Sequence, residues 1–384
     1  MSYSVCVVTG TRAEFGLLSP LIAKLRDDEE IDLRLVVTGS HLSRRFGYTV
    51  EEIEQAGCPI AARIKIPLEG DSKTDMAKAT GHAMSAFADY FSHNRPELLV
   101  VLGDRYEIFA AAASAALLGI PIAHLYGGET TEGAVDEFLR HSITKMSSLH
   151  FTACEAYRRR VIQLGEAPER VFNVGALGVE NVLHLPEMPL EMLSADLDLP
   201  LSERSYAIVT LHSVTQEENT AGTQVKELIE AMESFPQMQY IITKANTDAG
   251  GRLINQIWEK AALKHQNWRV IASLGAKRYL TALKHARMMI GNSSSGIIEA
   301  PAAHIATINI GDRQKGRMMA DSVICCAPDT KSISNAIQNA LTYKFNNDDV
   351  CPFGNGNTSA RIVQILKNNL SNRTIDIKKV FYDI

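Results

Sequence analysis

Acidic side chains follow several strand-like apolar segments of the chain, and these are the residues whose types and spacing could do chemistry. Asp104 ends the segment V-L-G-D, Glu129 follows the glycines of H-L-Y-G-G-E, and Asp136 and Glu137 come soon after. Proton transfer at carbon needs such a set, because one carboxylate must be ionised as the base while another stays protonated as the acid. Each residue taken alone is better explained as a helix cap or a solvated charge. Their concentration after apolar segments favours a catalytic role.

Two further polar residues hold corresponding positions in the two halves of the sequence. Arg12 lies in T-G-T-R-A-E-F-G, where Gly10 allows a tight turn and the following helix start offers N–H groups to a phosphate. His212 lies in T-L-H-S-V-T, after the first apolar segment of the second half. An ordinary turn with a solvated arginine and a structural histidine are the alternatives. We predict a phosphate or carboxylate contact for Arg12 and a functional role for His212.

A serine-rich turn, G-N-S-S-S-G-I-I-E from Gly291 to Glu299, is typical of a diphosphate-binding helix start. The amides and hydroxyls of such a turn suit a diphosphate, and Glu299, about one helical turn on, is placed to accept two ribose hydroxyls. Three successive hydroxyls exceed what a helix cap uses. A serine hydrolase is disfavoured, because its G-x-S-x-G turn needs glycine where Ser295 stands.

A basic loop, I-N-I-G-D-R-Q-K-G-R, runs from Ile308 to Arg317. Its glycine spacing resembles a P-loop, but Arg317 and Met318 replace the lysine and hydroxyl residue, so an NTPase is disfavoured. The three cations, Arg313, Lys315 and Arg317, indicate an anionic ligand; a solvated basic loop is the alternative.

The elements that must position these residues form one repeating pattern. Apolar segments of strand length, among them Leu98–Leu102, Leu149–Thr152 and Trp268–Ile271, alternate with amphipathic helices, which predicts parallel sheets covered on both faces. The pattern breaks between about residues 175 and 205, which we interpret as an interdomain connection, and then restarts. We predict an α/β protein with two doubly wound domains, 1–180 and 200–358, and a ligand in the cleft between them. A helix and tail, 359–384, could pack back on the first domain.

Composition excludes several classes of protein. The 384 residues include 39 Lys plus Arg and 44 Asp plus Glu, for a net charge of -5, which excludes a strongly cationic nucleic-acid binder. No apolar run approaches the ~18 residues of a membrane span, and the first residues lack the features of a signal peptide. The six cysteines show no C-x-x-C spacing. We therefore expect a cytoplasmic, metal-free protein without nucleic-acid or membrane partners.

The motifs together resemble one family. TGTRAEFG, VLGDRYEIF, GGE followed by DEFLRHSITKMS, VFNVGALGVEN, GNSSSGIIEAP and INIGDRQKGR are similar to those of hydrolysing UDP-N-acetylglucosamine 2-epimerases, above all the bacterial enzymes that begin sialic-acid synthesis for capsules. The resemblance extends from Val5 to the last residues. It implies the glycosyltransferase-B architecture, with two Rossmann-like domains and an interdomain active-site cleft.

The resemblance also implies a reaction. UDP-GlcNAc and water would give N-acetylmannosamine and UDP, by anti elimination to 2-acetamidoglucal and then syn addition of water. No cofactor and no metal are implied, and the family suggests a homodimer or homotetramer. The alternatives are a hydrolysing enzyme for GDP-GlcNAc, a non-hydrolysing UDP-GlcNAc 2-epimerase, a glycosyltransferase and a nucleotide-sugar sensor.

Site residues carry over from the family position by position. The catalytic positions are Asp104, Glu129, Asp136, Glu137 and His212, with Glu129 or Asp104 as the base at C2. The nucleotide-binding positions are Arg12, Ser294, Ser295, Gly296, Glu299 and Arg317. Ser213 stands where many relatives have proline, which loosens the restraint on the histidine. Glutamate is absent at 126, which favours the hydrolytic reaction.

Overall fold

The computed structural model describes residues 2–68, 70, 72–132, 135–213, 220–245, 250–345 and 351–384. The chain forms two compact units. Unit 1 contains Met1–Glu129, Val135–Glu180 and Gly354–Ile384, and unit 2 contains Thr130–Ala134 and Asn181–Phe353. Each unit has its own parallel sheet with helices between most successive strands, so the predicted two-domain α/β architecture is confirmed.

The sheet of unit 1 has seven strands in the order β3-β2-β1-β4-β5-β6-β7, all paired in parallel. Its strands are β1 (Tyr3–Thr9), β2 (Ile31–Thr38), β3 (Ile60–Ile64), β4 (Leu98–Leu102), β5 (Ile122–Leu125), β6 (Leu149–Thr152) and β7 (Val171–Asn173). The middle strand, β4, is apolar throughout because helices leave neither of its faces to water. β3 was not predicted: its residues alternate between exposed and less exposed positions at the sheet edge.

The helices of unit 1 follow its strands, and one of them lies near the end of the chain. They are α1 (Arg12–Arg26), α2 (Val50–Gln55), α3 (Lys73–His93), α4 (Tyr106–Leu117), α5 (Val135–Met146), α6 (Glu155–Gln163) and α14 (Thr358–Ser371), and α7 (Leu177–His184) runs from unit 1 into unit 2. Thr11 and Glu14 form a capping box at the start of α1. In α3, Ala83 and Phe87 are buried against the sheet, so this helix forms core.

The last helix and the residues after it belong to unit 1. Lys367 of α14 forms an ion pair with Asp28, which follows α1. We call residues 376–384 the C-terminal strap. In the strap, Lys379 Nζ donates to the carbonyl oxygens of Lys145 and Ser147, and the N–H of Tyr382 donates to Gly165 O at 3.0 Å.

The sheet of unit 2 has six strands in the order β10-β9-β8-β11-β12-β13, again all parallel. Its strands are β8 (Tyr206–Thr210), β9 (Gln239–Thr243), β10 (Trp268–Ile271), β11 (Met288–Gly291), β12 (Ala306–Ile310) and β13 (Val323–Cys326). Its helices are α8 (Leu190–Leu197), α9 (Ala221–Glu233), α10 (Gly251–Ala262), α11 (Gly275–His285), α12 (Ser294–Ala302) and α13 (Thr330–Thr342). Trp258 and Trp268 lie in its core.

The stretch from 175 to 205 is more ordered than the sequence suggested. It contains α7 and α8, because its prolines stand outside these helices and do not interrupt them: Pro189, for example, is the residue that caps α8. None of the helices in the described part of the chain is both long and apolar enough to cross a membrane.

In both sheets, strand order reverses at one point, between β1 and β4 in unit 1 and between β8 and β11 in unit 2. Open α/β sheets bind ligands at the carboxyl ends of the strands at such a switch point. Arg12 and Asp104 follow β1 and β4, and His212 and Ser294 follow β8 and β11. The fold therefore places four predicted site residues where each sheet can accept a ligand.

Candidate active site

A buried arginine organises the acidic residues of unit 1. Arg140 lies on α5 and is 1 % exposed. Its Nη2 donates to Oδ2 of Asp104, and its Nη1 donates to Oε2 of Glu137 and to the main-chain oxygen of Glu129, both at 3.0 Å. One guanidinium thus joins three of the four predicted catalytic acids, although they come from three separate segments of the chain.

Two of the side chains that Arg140 holds can reach a ligand. The guanidinium stays protonated and places a positive charge beside both of them. Asp104 and Glu137 keep about a quarter of their side chains exposed, while Glu129 is almost wholly buried. Oε1 of Glu137 also lies 3.2 Å from Nε2 of His141.

The turn that carries Glu129 is tightly constrained. Tyr126 has a positive φ of 66°, which is costly for a residue other than glycine and is often found at functional sites. Gly128 also has a positive φ, and a β-carbon there would lie 2.4 Å from the main-chain oxygen of Tyr157. His124 supports the turn by donating from Nε2 to Gly103 O at 2.8 Å. Burial lowers the pKa of His124 to about 3, so it is a neutral, structural residue.

Two further predicted residues of unit 1 lie at the starts of helices. Arg12 is the first residue of α1 and is exposed, as a side chain that meets a ligand must be. Asp136 is the second residue of α5, next to Glu137, and is partly buried. The catalytic role of Asp136 stays a prediction.

In unit 2, His212 is held by Asn292. The N–H of His212 donates to Oδ1 of Asn292 at 2.7 Å, and Nδ2 of Asn292 donates to the oxygen of His212 at 2.8 Å. Asn292 is the second residue of the G-N-S-S-S-G turn, so this pair of bonds ties the histidine to the predicted nucleotide-binding turn. The T-L-H-S-V-T motif continues into residues 214–219, which lie outside the described residues.

The imidazole of His212 is neutral. The side chain is almost wholly buried. Burial, reinforced by the charge of Arg313, lowers its pKa to about 3. A neutral imidazole offers one N–H donor and one acceptor. His212 can therefore donate one hydrogen bond to a ligand oxygen, but it does not supply a positive charge at neutral pH.

Two serines of the G-N-S-S-S-G turn lie beyond the residue that caps α12. Gly291 has a φ of 137°, and a β-carbon there would lie 1.9 Å from the oxygen of Thr210, so only glycine fits. Ser293 is the cap of α12, and its Oγ accepts from the N–H of Ser295. Ser294 and Ser295 open the helix, where N–H groups and the helix dipole favour an anion.

The other predicted nucleotide-binding residues of the turn have visible structural partners. The N–H of Gly296 donates to Ser293 O at 3.1 Å, and a β-carbon at 296 would lie 2.7 Å from Cγ2 of Thr307. Packing accounts for this glycine, and its contact with a nucleotide stays a prediction. Burial raises the pKa of Glu299, opposed by a hydrogen bond from Ser295. Ser295 also bonds to the hydroxyl of Tyr279.

The basic loop makes two sets of hydrogen bonds. Arg313 Nη1 and Gln314 Nε2 donate to the main-chain oxygen of Asn292, at 3.0 and 2.8 Å. They therefore help to position the residue whose side chain bonds to His212. Arg317 Nε donates to the oxygen of Thr130 at 2.9 Å, within the part of unit 2 that follows Glu129. An anion contact by Arg317 stays a prediction.

Several residues of these clusters were not among the predicted site residues. Arg140 and Asn292 lie inside recognised motifs, D-E-F-L-R-H and G-N-S-S-S-G, and that position was the available signal.

Comparison with known proteins decides the family. The family model described as UDP-N-acetylglucosamine 2-epimerase matches residues 23–367. Polysialic acid biosynthesis protein P7 of Escherichia coli is 39 % identical, over 99 % of this chain and 97 % of that protein. The chain belongs to the UDP-N-acetylglucosamine 2-epimerase family. The family predicted from the motifs is therefore confirmed.

Two further relatives of this epimerase-family chain are informative. A GDP/UDP-N,N'-diacetylbacillosamine 2-epimerase (hydrolyzing) of Campylobacter jejuni is 40 % identical, over 83 % of each chain. The solved structure of the UDP-GlcNAc 2-epimerase of Methanocaldococcus jannaschii, in complex with UDP-GlcNAc and UDP, has a TM-score of 0.81 at 21 % identity and covers 95 % of this chain and 99 % of its own. That likeness confirms the fold.

Proposed function

We propose that this epimerase converts UDP-GlcNAc and water into N-acetylmannosamine and UDP, as the first step of sialic-acid synthesis. The reaction would proceed by anti elimination of UDP across C1 and C2, followed by syn addition of water to the resulting 2-acetamidoglucal. Such a route needs a base for the proton at C2, groups that stabilise the departing diphosphate, and a group that later activates water.

The observation that carries the proposal is the set of acids held by Arg140. Binding a diphosphate gains nothing from additional negative charge, so a site built only to bind nucleotide would not concentrate carboxylates. Elimination and hydration, in contrast, use several proton-transfer groups. Glu129 or Asp104 is the proposed base at C2. Asp136 and Glu137 are proposed to assist departure of UDP or the addition of water.

The turns of unit 2 are proposed to bind the nucleotide. Ser294, Ser295 and the first N–H groups of α12 would bind the diphosphate, and Glu299 would bind the ribose. His212 would donate a hydrogen bond to the departing phosphate oxygen, in keeping with its neutral imidazole. Arg12 and Arg317 would supply positive charge to the same group.

Incubation with UDP-GlcNAc in deuterated water tests this function. We expect N-acetylmannosamine that carries deuterium at C2, together with one equivalent of UDP. Recovery of UDP-N-acetylmannosamine would place the enzyme in the non-hydrolysing class. Release of UDP only after addition of a sugar acceptor would indicate a glycosyltransferase, and tight UDP binding without turnover a sensor.

A second substrate is suggested by the Campylobacter jejuni relative, which is named for N,N'-diacetylbacillosamine. Its sugar differs from GlcNAc away from C1 and C2, so the same elimination and hydration would apply. Parallel assays with UDP-GlcNAc, UDP-N,N'-diacetylbacillosamine and their GDP counterparts identify the preferred sugar and base. The substrate with the highest kcat/KM decides between them.

A further inference from the structure

Two glutamates without a role in the proposed chemistry contact the turn at the carboxyl end of β1. Oε2 of Glu14 accepts hydrogen bonds from the N–H groups of Gly10, at 2.8 Å, and Thr11, at 3.2 Å. Glu107 packs against the same turn, since a β-carbon added at residue 10 would lie 2.6 Å from its Cγ. The main chain that leads to Arg12 therefore touches two carboxyl groups.

The two carboxyl groups share one cation. Nε of Arg105 donates to Oε1 of Glu107 at 2.7 Å and lies 3.9 Å from Oε1 of Glu14. Glu14 is 6 % exposed and Glu107 is 1 % exposed. Two buried negative charges against one guanidinium leave one charge uncompensated, which is costly where water is excluded.

Each carboxyl group also has one oxygen without a partner. Neither Oε1 of Glu14 nor Oε2 of Glu107 has a hydrogen-bond partner among the described residues. Buried acceptors without donors are rare in native proteins. A single added proton would remove the uncompensated charge and turn one of these acceptors into a donor.

The surrounding groups do not supply the missing positive charge. Asp104 adds another negative charge near Glu14, and Arg12, on the same helix, is exposed. His41 is bonded to Thr9 beside the turn, but burial lowers its pKa to about 4, so it is neutral. Burial and the charge of Glu107 raise the pKa of Glu14 to about 8. These effects favour a protonated carboxyl group at neutral pH.

We propose that Glu14 holds a proton at neutral pH, and that this proton allows the turn from Gly10 to Arg12 to bind a diphosphate without a second buried negative charge beside it. This inference rests on the proposed function, which assigns Arg12 to the nucleotide. Loss of the proton at alkaline pH adds a negative charge beside the turn and weakens diphosphate binding. Glu14 is then a positioning residue that sets the charge of the turn.

The affinity for UDP, measured by titration calorimetry between pH 6.5 and 9.5, tests the inference with the Glu14→Gln variant. Glutamine keeps the oxygen that accepts from Gly10 and Thr11, and it has no proton to lose. We expect equal affinities at pH 6.5 and, at pH 9.5, binding by the variant that is tighter than wild type by on the order of tenfold. The ionisation of UDP itself cancels in this ratio. A ratio that does not change with pH overturns the proposal.

Infrared difference spectroscopy separates this inference from the proposed function, because it needs neither UDP nor turnover. The carbonyl band of a protonated carboxylic acid should be present in the wild type at pH 7, lost at pH 9.5 and missing in Glu14→Gln. Glu180→Gln is the matched control, since Glu180 is also buried in unit 1 but accepts from Ser359 N at 2.6 Å. If Glu14→Gln leaves the band unchanged, Glu14 does not hold the proton, and this conclusion is independent of the UDP measurements.

Discussion

The side-chain amide of Asn292 makes two hydrogen bonds to the main chain of His212, at 2.7 and 2.8 Å. The two residues follow β8 and β11, the neighbouring strands at which strand order reverses in unit 2. The position of the imidazole is thus set by an amide on the proposed nucleotide-binding turn. A nucleotide that orders this turn would at the same time order the histidine.

Loss of this amide should reduce turnover more than stability. We expect Asn292→Ala to lower kcat by about 10- to 100-fold, because an imidazole that is no longer held loses its alignment. The unfolding free energy should fall by about 1–3 kcal/mol, the cost of two buried main-chain groups left without partners. Steady-state kinetics and denaturant unfolding measure the two effects.

Asn255→Ala is the matched control for this prediction. Asn255 makes the same pair of bonds to the main chain of Ala245, at 2.8 and 3.3 Å, on the loop after β9. A similar loss of stability with little change in kcat is expected. Equal losses of kcat in both variants would show that the hydrogen bonds between Asn292 and His212 have no special role in catalysis.

Replacement of Arg140 should disable the acidic cluster. Arg140→Lys keeps the charge but cannot bond at once to Asp104, Glu137 and the oxygen of Glu129. We expect a loss of about 1–3 kcal/mol in unfolding free energy, because buried acceptors lose their hydrogen bonds, and a fall in kcat of at least about 100-fold.

Arg158→Lys is the control for Arg140→Lys: Arg158 also bonds to two carbonyl oxygens and a glutamate, but near the surface. Its cost should stay below about 1 kcal/mol, with normal kinetics. Normal kinetics in Arg140→Lys would contradict the catalytic role of the cluster.

Three buried neutral histidines should make the protein sensitive to mild acid. Burial lowers the pKa of His41 to about 4 and the pKa values of His124 and His212 to about 3. Below pH 6.5 the unfolded chain binds more protons than the folded protein at these sites, so stability falls as the pH drops toward the folded pKa values. Between pH 6.5 and 5 each histidine should cost about 2 kcal/mol.

Urea unfolding at pH 7 and pH 5 checks this dependence. His212→Gln should lose about 2 kcal/mol less than the wild type over that interval, because its site no longer titrates. His265→Gln serves as the control, since His265 is partly exposed and bonded to Glu233. An unchanged pH dependence in His212→Gln would mean that His212 is not buried as a neutral group.

The C-terminal strap should depend on one buried carboxylate. The side chain of Glu166 is 1 % exposed, and its carboxylate oxygens contact the side-chain nitrogens of Lys145, Lys379 and His150. Burial raises its pKa, but these three partners outweigh burial and hold the pKa at about 2. Its contribution to stability is therefore present above pH 4.5 and is lost as the pH falls toward 2.

Glu166→Gln should loosen the strap and lower the unfolding free energy by about 3–5 kcal/mol at pH 7. Carboxypeptidase digestion should then remove residues 376–384 faster than in the wild type. Glu169→Gln, at an exposed position nearby, should leave both measurements unchanged. Equal digestion of all three proteins would show that Glu166 does not retain the strap.

The sequence predicted most of the fold because burial on both faces leaves a strong signal. Leu98–Leu102, Leu149–Thr152 and Trp268–Ile271 were predicted with the bounds that the structure has. β3 was missed because I-A-A-R-I lies at the sheet edge and carries an arginine. The signal of a buried parallel strand is a continuous apolar run, and an edge strand does not need one.

The site was predictable in its positions but not in its connections. That Asp104 and His212 follow strands could be read from the apolar runs before them. The sequence does not show that Arg140 joins Asp104 to Glu137, or that Asn292 bonds to His212. These contacts depend on which side chains the folded sheets bring together, across 36 residues between Asp104 and Arg140 and 80 between His212 and Asn292. Charge states, such as the neutral imidazole of His212, depend on burial and could not be predicted from residue type.

The division of the chain between the two units has a consequence for biosynthesis. Unit 1 takes its first helices from the beginning of the sequence, but it receives α14 and the strap only after Phe353. A ribosome therefore releases all the strands of unit 2 before unit 1 has its last helix. We therefore expect unit 2 to complete its folding first on the nascent chain. Until α14 is made, the surface of α1 that α14 later contacts stays uncovered. Chaperones can bind to this surface during synthesis.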